Sequence, residues 1–495
     1  MTDRLDKGRL DLAQRMQAQA LSDVTRRQFL GRLGGGIGAM AMAALGSELG
    51  LDQALGANDG IQLPRPHHAP RARRMVYIHC AGSPPHHDLF DPKPGMSEWA
   101  GKKCPDHLLD PENFAFIKGH PEVLPSPYTF SKHGESGMEL SELLPNLGRH
   151  VDRMTMVRSM HTDQFNHAPA QLLLYTGSPR FGRPSMGSWI SYGLGSENRD
   201  LPAYVVLVSG GKTPSAGKSV WGSGFLPSVH QGVQCRSSGD PVLFLSDPPG
   251  IQRDTRGATI DALAELNALQ CEQHGDPETL ARIAQYELAF RMQVAAPGVM
   301  DVSGESPETL ARYGAKPGES SLANNCLLAR RMLEQDVRFV QLFDWGWDTH
   351  GTAPHDDIMN QLPLKCGQAD RPIAALLDDL HERGLLEDTV VMFSGEFGRT
   401  AMNEKRNGST YLGRDHHPHC FSMWMAGGGV RPGHVHGETC EFGAEIVRDP
   451  VHVHDLQATL MDLFGFDHTR LVHRHQGRDY RLTDVHGKVI RELQA

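Results

Sequence analysis

The chain has 495 residues, is 39% hydrophobic and carries a formal net charge of −10. That length and apolar content suit one large α/β domain or two smaller ones. The acidic balance and the absence of a Lys/Arg stripe argue against a nucleic-acid partner.

The first informative element in chain order is Thr25-Arg26-Arg27-Gln28-Phe29-Leu30, followed by a soft Gly/Ala-rich apolar run from Leu33 to Leu45. Paired arginines ahead of such a run make a twin-arginine export signal, and about a dozen apolar residues are too few to span a bilayer. The expected organisation is a signal over 1–57, a Pro-rich linker over 58–74 and one domain over 75–495. The product is then exported, periplasmic or extracellular, with the twin-arginine machinery as a partner and no stable membrane span. The glycine run at 34–38 has no strand ahead of it and is no dinucleotide loop.

Short apolar runs at 75–79, 154–158, 204–208, 338–343, 389–393 and 421–425 read as strands. Residues 258–292, 322–334, 373–383 and 454–464 read as helices, the last closed by Gly465. This alternation implies a three-layer α/β fold: a mostly parallel sheet with helices on both faces. Residues 209–219 follow a strand and look like a phosphate-binding loop. Lys212 stands where that loop needs glycine and Pro214 removes an amide, which argues against an NTPase. Lys212 and Lys218 stay as possible contacts for an anionic substrate. Eight cysteines are scattered singly without CxxC spacing, so mostly buried thiols are expected, with at most one or two bridges. No Gly-x-Ser-x-Gly elbow marks a serine hydrolase.

Three segments are crowded with metal-type ligands, two of them after strands and the third before one. In the first, Asp348 and His350 stand two apart, so an extended backbone turns both to one side, and Asp344 alternates onto that side too. In the second, Glu396 sits between Gly395 and Gly398, which permit close approach. The planar fork of Arg399 suits a tetrahedral anion. The third, Asp415-His416-His417-Pro-His419, is the densest. Adjacent side chains point apart, so Asp415 with His417, or His416 alone, are the expected ligands, supported by the rest. The loop after the first strand offers His79, His87 and Asp88, and residues 159–169 add a further polar group. Loops at the carboxyl ends of parallel strands converge on one crevice. Carboxylates and imidazoles gathered there suit a divalent ion, zinc in the first place, with manganese or calcium open.

Asp88-Leu-Phe-Asp-Pro, Trp347-Asp-Thr-His-Gly, Gly395-Glu-Phe-Gly-Arg-Thr and Arg414-Asp-His-His-Pro, behind a twin-arginine leader, together resemble the exported family called domain of unknown function 1501. That family is placed in the alkaline phosphatase-like superfamily. The resemblance therefore implies a three-layer α/β fold and, by analogy, a two-metal site for phosphate or sulfate esters, its ions about 3.5–4 Å apart. Sulfatases of that superfamily carry Cys-x-Pro-Ser-Arg and then Leu-Thr-Gly. The matching stretch here runs from His167 through Pro169 and Gln171 to Thr176-Gly177. His167 stands at the nucleophile's place and Gln171 at the arginine's, which excludes formylglycine chemistry under this alignment. The superfamily's later Asp-His is Glu396-Phe397 here. The expectation is an exported metal-dependent hydrolase of phosphate or sulfate esters, of small-molecule or polysaccharide origin. Its ligands would be Asp88, Asp348, His350, Glu396, Asp415, His416 and His417. His167 would act as nucleophile or acid/base, and Arg399 would hold the anion. The rival of another class is a catalytically degenerate binding or cell-surface protein on the same fold. A metal-dependent amide or carbohydrate hydrolase would use similar ligands.

Overall fold

The computed structural model describes residues 64–109, 114–237, 252–274 and 277–495. The expected signal over 1–57 lies outside them. The described part of the expected linker is not loose. The amides of His67 and His68 donate to the Gly465 carbonyl and those of Arg71 and Ala72 to Leu463, and Ala72 is fully buried. The domain therefore begins ahead of residue 75.

Nine strands build the main sheet. In chain order they are β1 (Arg74–Ala81), β2 (Met154–His161), β3 (Tyr204–Ser209), β4 (Val233–Cys235), β5 (Phe339–Trp345), β6 (Thr389–Ser394), β7 (Phe421–Ala426), β8 (His434–His436) and β9 (Val451–His452). Across the sheet they run β8, β2, β7, β6, β1, β5, β3, β4, with β9 also on β2. Every pairing is parallel except those of β7, which runs against both of its neighbours.

The helices are α1 (His86–Leu89), α2 (His167–Thr176), α3 (Met186–Leu194), α4 (Arg253–His274), α5 (Pro277–Met300), α6 (Pro307–Tyr313), α7 (Leu322–Glu334), α8 (Gln361–Glu382) and α9 (Val453–Leu463). Strand alternation sorts side chains between two cores, one on each face of the sheet. Val76, Ile78, Val340, Leu342, Val391 and Phe393 pack with α5 to α8. Met75, Tyr77, Phe339, Val390, Met392 and Met423 pack with α2, α3 and α9. Each such fully buried side chain contributes about 1.5–3 kcal/mol, which is why the central strands read as unbroken apolar runs. The expected three-layer α/β architecture is what forms.

The expected helix over 258–292 is two, α4 and α5. The one expected over 373–383 is the second half of α8, whose first half carries Pro363, Gly367 and Pro372 and so hides its period. Residues 217–221 form only a short 3-10 turn, not the helix of a phosphate-binding loop. Cys80, Cys104, Cys235, Cys326, Cys366 and Cys420 are buried free thiols, and Cys440 is a half-buried one. Among the described residues no helix is long and apolar enough to cross a membrane.

Register sets what the sheet presents at one edge. His79 pairs with Ser394, Cys80 with Asp344, and Phe421 with Met160. The carboxyl ends of β1, β2, β5 and β6 are therefore level, and because β7 is reversed, its approach at 415–420 arrives there too.

A candidate metal centre at the sheet's carboxyl edge

Asp348 lies three residues past β5 and is the hub of the site. Gly82, just past β1, has φ +100°, and a Cβ there would stand 2.4 Å from the Asp348 amide nitrogen. Only glycine lets these two loops touch. Gly413 does the same for His350: a Cβ would lie 1.9 Å from the His350 carbonyl carbon. His416 is fixed by a short antiparallel pairing with Arg399, and His167 opens α2. One donor atom from each of His167, Asp348, His350 and His416 lies within 4.8 Å of the others.

The Nε2 atoms of all three rings face Asp348, at 2.9 Å from Oδ1 for His350, 3.3 Å from Oδ1 for His416 and 3.3 Å from Oδ2 for His167. Their Nδ1 atoms are anchored on oxygens: His416 at 2.7 Å on the Phe165 carbonyl, His167 at 2.7 Å on Glu396, His350 on Glu404. A carbonyl or carboxylate oxygen only accepts, so the proton sits on Nδ1 and a neutral ring turns an Nε2 lone pair inward.

His416 and His167 differ electrostatically. Burial, aided by the charges of Arg399 and His167, holds His416 down at about 3 despite Asp348. It is neutral, and its lone pair confronts a carboxylate oxygen. For His167 burial opposes charge, but hydrogen bonds to Asp348 and Glu396 prevail and raise it to about 9. It is an imidazolium bridging two carboxylates. Asp348 and Glu396 lie well below the usual carboxylate range, because the contacts with Arg399 and the histidines outweigh the burial that opposes ionisation. Buried Phe397 lies under the rings, its centroid 4.4 Å from that of His416 and 5.1 Å from that of His167.

The donor set fits a divalent ion. The neutral His416 lone pair pointed at a carboxylate repels it unless a cation lies between. A tetrahedral zinc with ligands at ~2.0–2.1 Å separates neighbouring donors by about 3.3 Å, close to the spacings around Asp348. Each ligating ring also has its Nδ1–H held by an oxygen, the usual outer support of a metal-bound histidine.

Of the expected ligands, the structure gathers Asp348, His350 and His416, and places Glu396 behind His167. Glu396 is fully buried and collects the Gly82 amide, the Ser83 hydroxyl, Gln171 at 3.1 Å, His79 at 3.3 Å and His167. Its lone pairs are spent on positioning.

Four expectations need correcting. Asp88 is not with the others: it forms a bidentate pair with Arg414 at 2.8 and 3.0 Å, both side chains wholly buried. His417 turns away and places Nε2 2.6 Å from the Ala444 carbonyl. Asp344 pairs with Lys365 at 2.5 Å and accepts from Trp347 and Ser209. Arg399 is fully buried and donates to the carbonyls of Gly82, Ser83 and Arg414 and to Asp348, so it steadies a ligand rather than presenting a fork to an anion. Asp415 comes close, within 4.8 Å of His350 and Glu404 by donor atom. Its oxygens, however, accept from the amides of Phe116, Ile117 and His416 at 2.7–2.8 Å. Glu404 escaped the sequence reading, since a glutamate between Asn403 and Lys405 looks like exposed loop, and so did Ser83 and Phe116. Lys212 lies 5.2 Å over the Trp345 ring, itself 5.7 Å from His167.

Solved structures similar to this chain include a protein in the alkaline phosphatase superfamily from Vibrio parahaemolyticus, at 9% identity and TM-score 0.36 over 83% of this chain and 70% of that one. Lipoteichoic acid synthase LtaP from Listeria monocytogenes follows at 11% and 0.35, over 82% and 76%. The PsFucS1 sulfatase from Pseudoalteromonas sp. is similar at 13% and 0.33, over 83% and 70%. Likenesses at this level say nothing about activity. No curated protein matches the chain. A family model matches residues 72–494, a span that takes in every motif named above after the leader, and the chain belongs to that family, described as Protein of unknown function (DUF1501).

Proposed function

We propose that this protein is an exported, metal-dependent hydrolase of phosphate or sulfate esters. Asp348, His350 and His416 would hold one divalent ion, zinc in the first place. The observation that carries the reading is the inward set of Nε2 atoms around Asp348, each ring anchored at Nδ1. Two imidazoles and one carboxylate leave coordination positions open, as catalytic rather than structural sites do. When bound, the ion supplies positive charge for the ester's oxygens and acidifies neighbouring water.

The remaining roles belong to the chain. Arg399 fixes Asp348 and Glu404 fixes His350, so the ligands are held before any ion arrives. His167 is the most open of the three rings, with 18% of its side chain exposed against 7% and 2% for His350 and His416. Held between Glu396 and Asp348 as a cation, it can deliver the Nε2 proton to a departing alcohol oxygen and later recover one from water.

One observation favours the degenerate-scaffold reading: Arg399 and His167 already neutralise Asp348 and Glu396. Metal analysis decides between them. The purified protein is expected to retain one ion per chain and cleave aryl phosphate or aryl sulfate. Asp348→Asn should abolish both. A folded protein that keeps no ion, or an Asp348→Asn variant with unchanged ion and activity, removes the hydrolase reading.

A further inference from the structure

A cleft of about 430 Å³ lies between residues 115–122 and 403–407. Two residues of its wall, Phe116 and Glu404, touch the ligands of the candidate metal centre. Phe116, in its wall, makes T-shaped contacts with His350 at 5.2 Å and His416 at 5.9 Å between centroids, while 42% of the residue stays exposed. Glu404, also in its wall, holds His350 by Nδ1. Any ester whose anionic end reached Asp348 would have this cleft as the neighbouring space for its alcohol portion.

The charges lining the cleft do not cancel. Lys405 pairs with Glu122 at 2.6 Å, and Arg406 spends Nε on Glu404. Lys118 makes no ion pair among the described residues. Nη2 of Arg406 is buried and has no hydrogen-bond partner among them, although the guanidinium lies 3.6 Å over the Phe116 ring. A guanidinium donor left unmatched is costly, and because 26% of the Arg406 side chain is exposed, an oxyanion in the cleft can satisfy it. The backbone adds an independent sign. Lys405 and Asn407 take φ of +47° and +55°, a left-handed conformation disfavoured for lysine. Such strain gathers at ligand clamps, where surrounding structure enforces it.

Building on the hydrolase reading above, we propose that this cleft is the leaving-group subsite. It selects esters of a ring-bearing alcohol that carries a negative charge of its own, such as a carboxylate or a second ester anion. Phe116 offers the part of its ring that Arg406 leaves exposed, and Lys118 with the free end of Arg406 receives the charge.

The test is calorimetric titration of the ion-loaded protein with phenylphosphonate and 4-phosphonobenzoate, which differ only by a carboxylate. The carboxylated probe should bind about tenfold more tightly or better, the worth of a charge-assisted hydrogen bond. Lys118→Ala, which touches neither Glu404 nor His350, should cut that preference to below about threefold, and Arg406→Gln should do the same. Equal affinity for the two probes, binding of neither, or a preference that survives both substitutions overturns the subsite. Metal analysis of the same samples separates the two readings. Ion retained without charge preference overturns the subsite alone, whereas no ion retained overturns the hydrolase reading and the subsite with it.

Discussion

Two regions of this molecule look alike in the sequence and behave differently in the fold. One gathers Asp348, His350, His416 and His167. The other, a short way along the same loops, holds Asp88, His86, His87 and His417. Both are dense in imidazole and carboxylate, and both are largely buried. In the second, each group meets a fixed partner: Asp88 takes Arg414, His86 and His87 reach the carbonyls of Gly443 and Phe442 at 2.8 Å, and His417 reaches that of Ala444. In the first, the outward nitrogens are anchored and the inward ones converge on a single carboxylate. Ligand density therefore does not by itself gather donors around one point. The backbone and the arginines decide that, by fixing which way each ring and carboxylate faces.

The comparison breaks first at His167. Under the proposed role His167→Gln should lower kcat by about 10²–10⁴-fold while the ion stays bound, the range for losing a general acid. The rate of the native protein should fall as pH rises through the His167 pKa, since deprotonation removes the acid. That value is about 9 without an ion, and a bound cation places the alkaline limb at or below it. Glu396→Gln removes a group that raises it, so the limb should move to lower pH. A profile flat to pH 10 would take the acid role from His167. The same raised pKa stabilises the ion-free fold below about pH 6.5, and that contribution is lost as pH climbs through 9.

The second region should respond in the opposite way. Asp88→Asn strands the buried Arg414 charge and should cost about 3–5 kcal/mol in denaturant unfolding, with the ion retained by whatever remains folded. Loss of ion without loss of stability would put Asp88 back among the ligands.

The smallest of the three effects sharpens the boundary of the site. Glu404→Gln keeps the shape but weakens the anchor on His350, and should reduce ion affinity about 10–100-fold, as loss of outer support does. An unchanged affinity by competition with a chelating dye would confine the site to the residues around Asp348.

The central strands were legible to within a few residues because their apolar runs are buried on both faces. The edge strands β4, β8 and β9 were not: two or three residues with polar members such as His434 and His436 carry no period. Within the site, Asp348 and His350 were legible from their spacing, and His416 from its loop. Glu404 and Phe116 were not, since nothing local distinguishes them from surface loop.

The amino-acid order alone determined the layered α/β class, the strands that form its centre and the three loops rich in ligand-type residues, because apolar period and residue chemistry are local properties. Only the tertiary structure decided that β7 runs backwards and so carries His416 to the edge where Asp348 waits. It also decided that Asp88 and Arg399 are consumed by buried partners. Hydrogen-bond and ion-pair satisfaction is settled between residues far apart in the chain, 326 positions for Asp88 and Arg414, and no local pattern encodes which of several carboxylates will be left facing an open space.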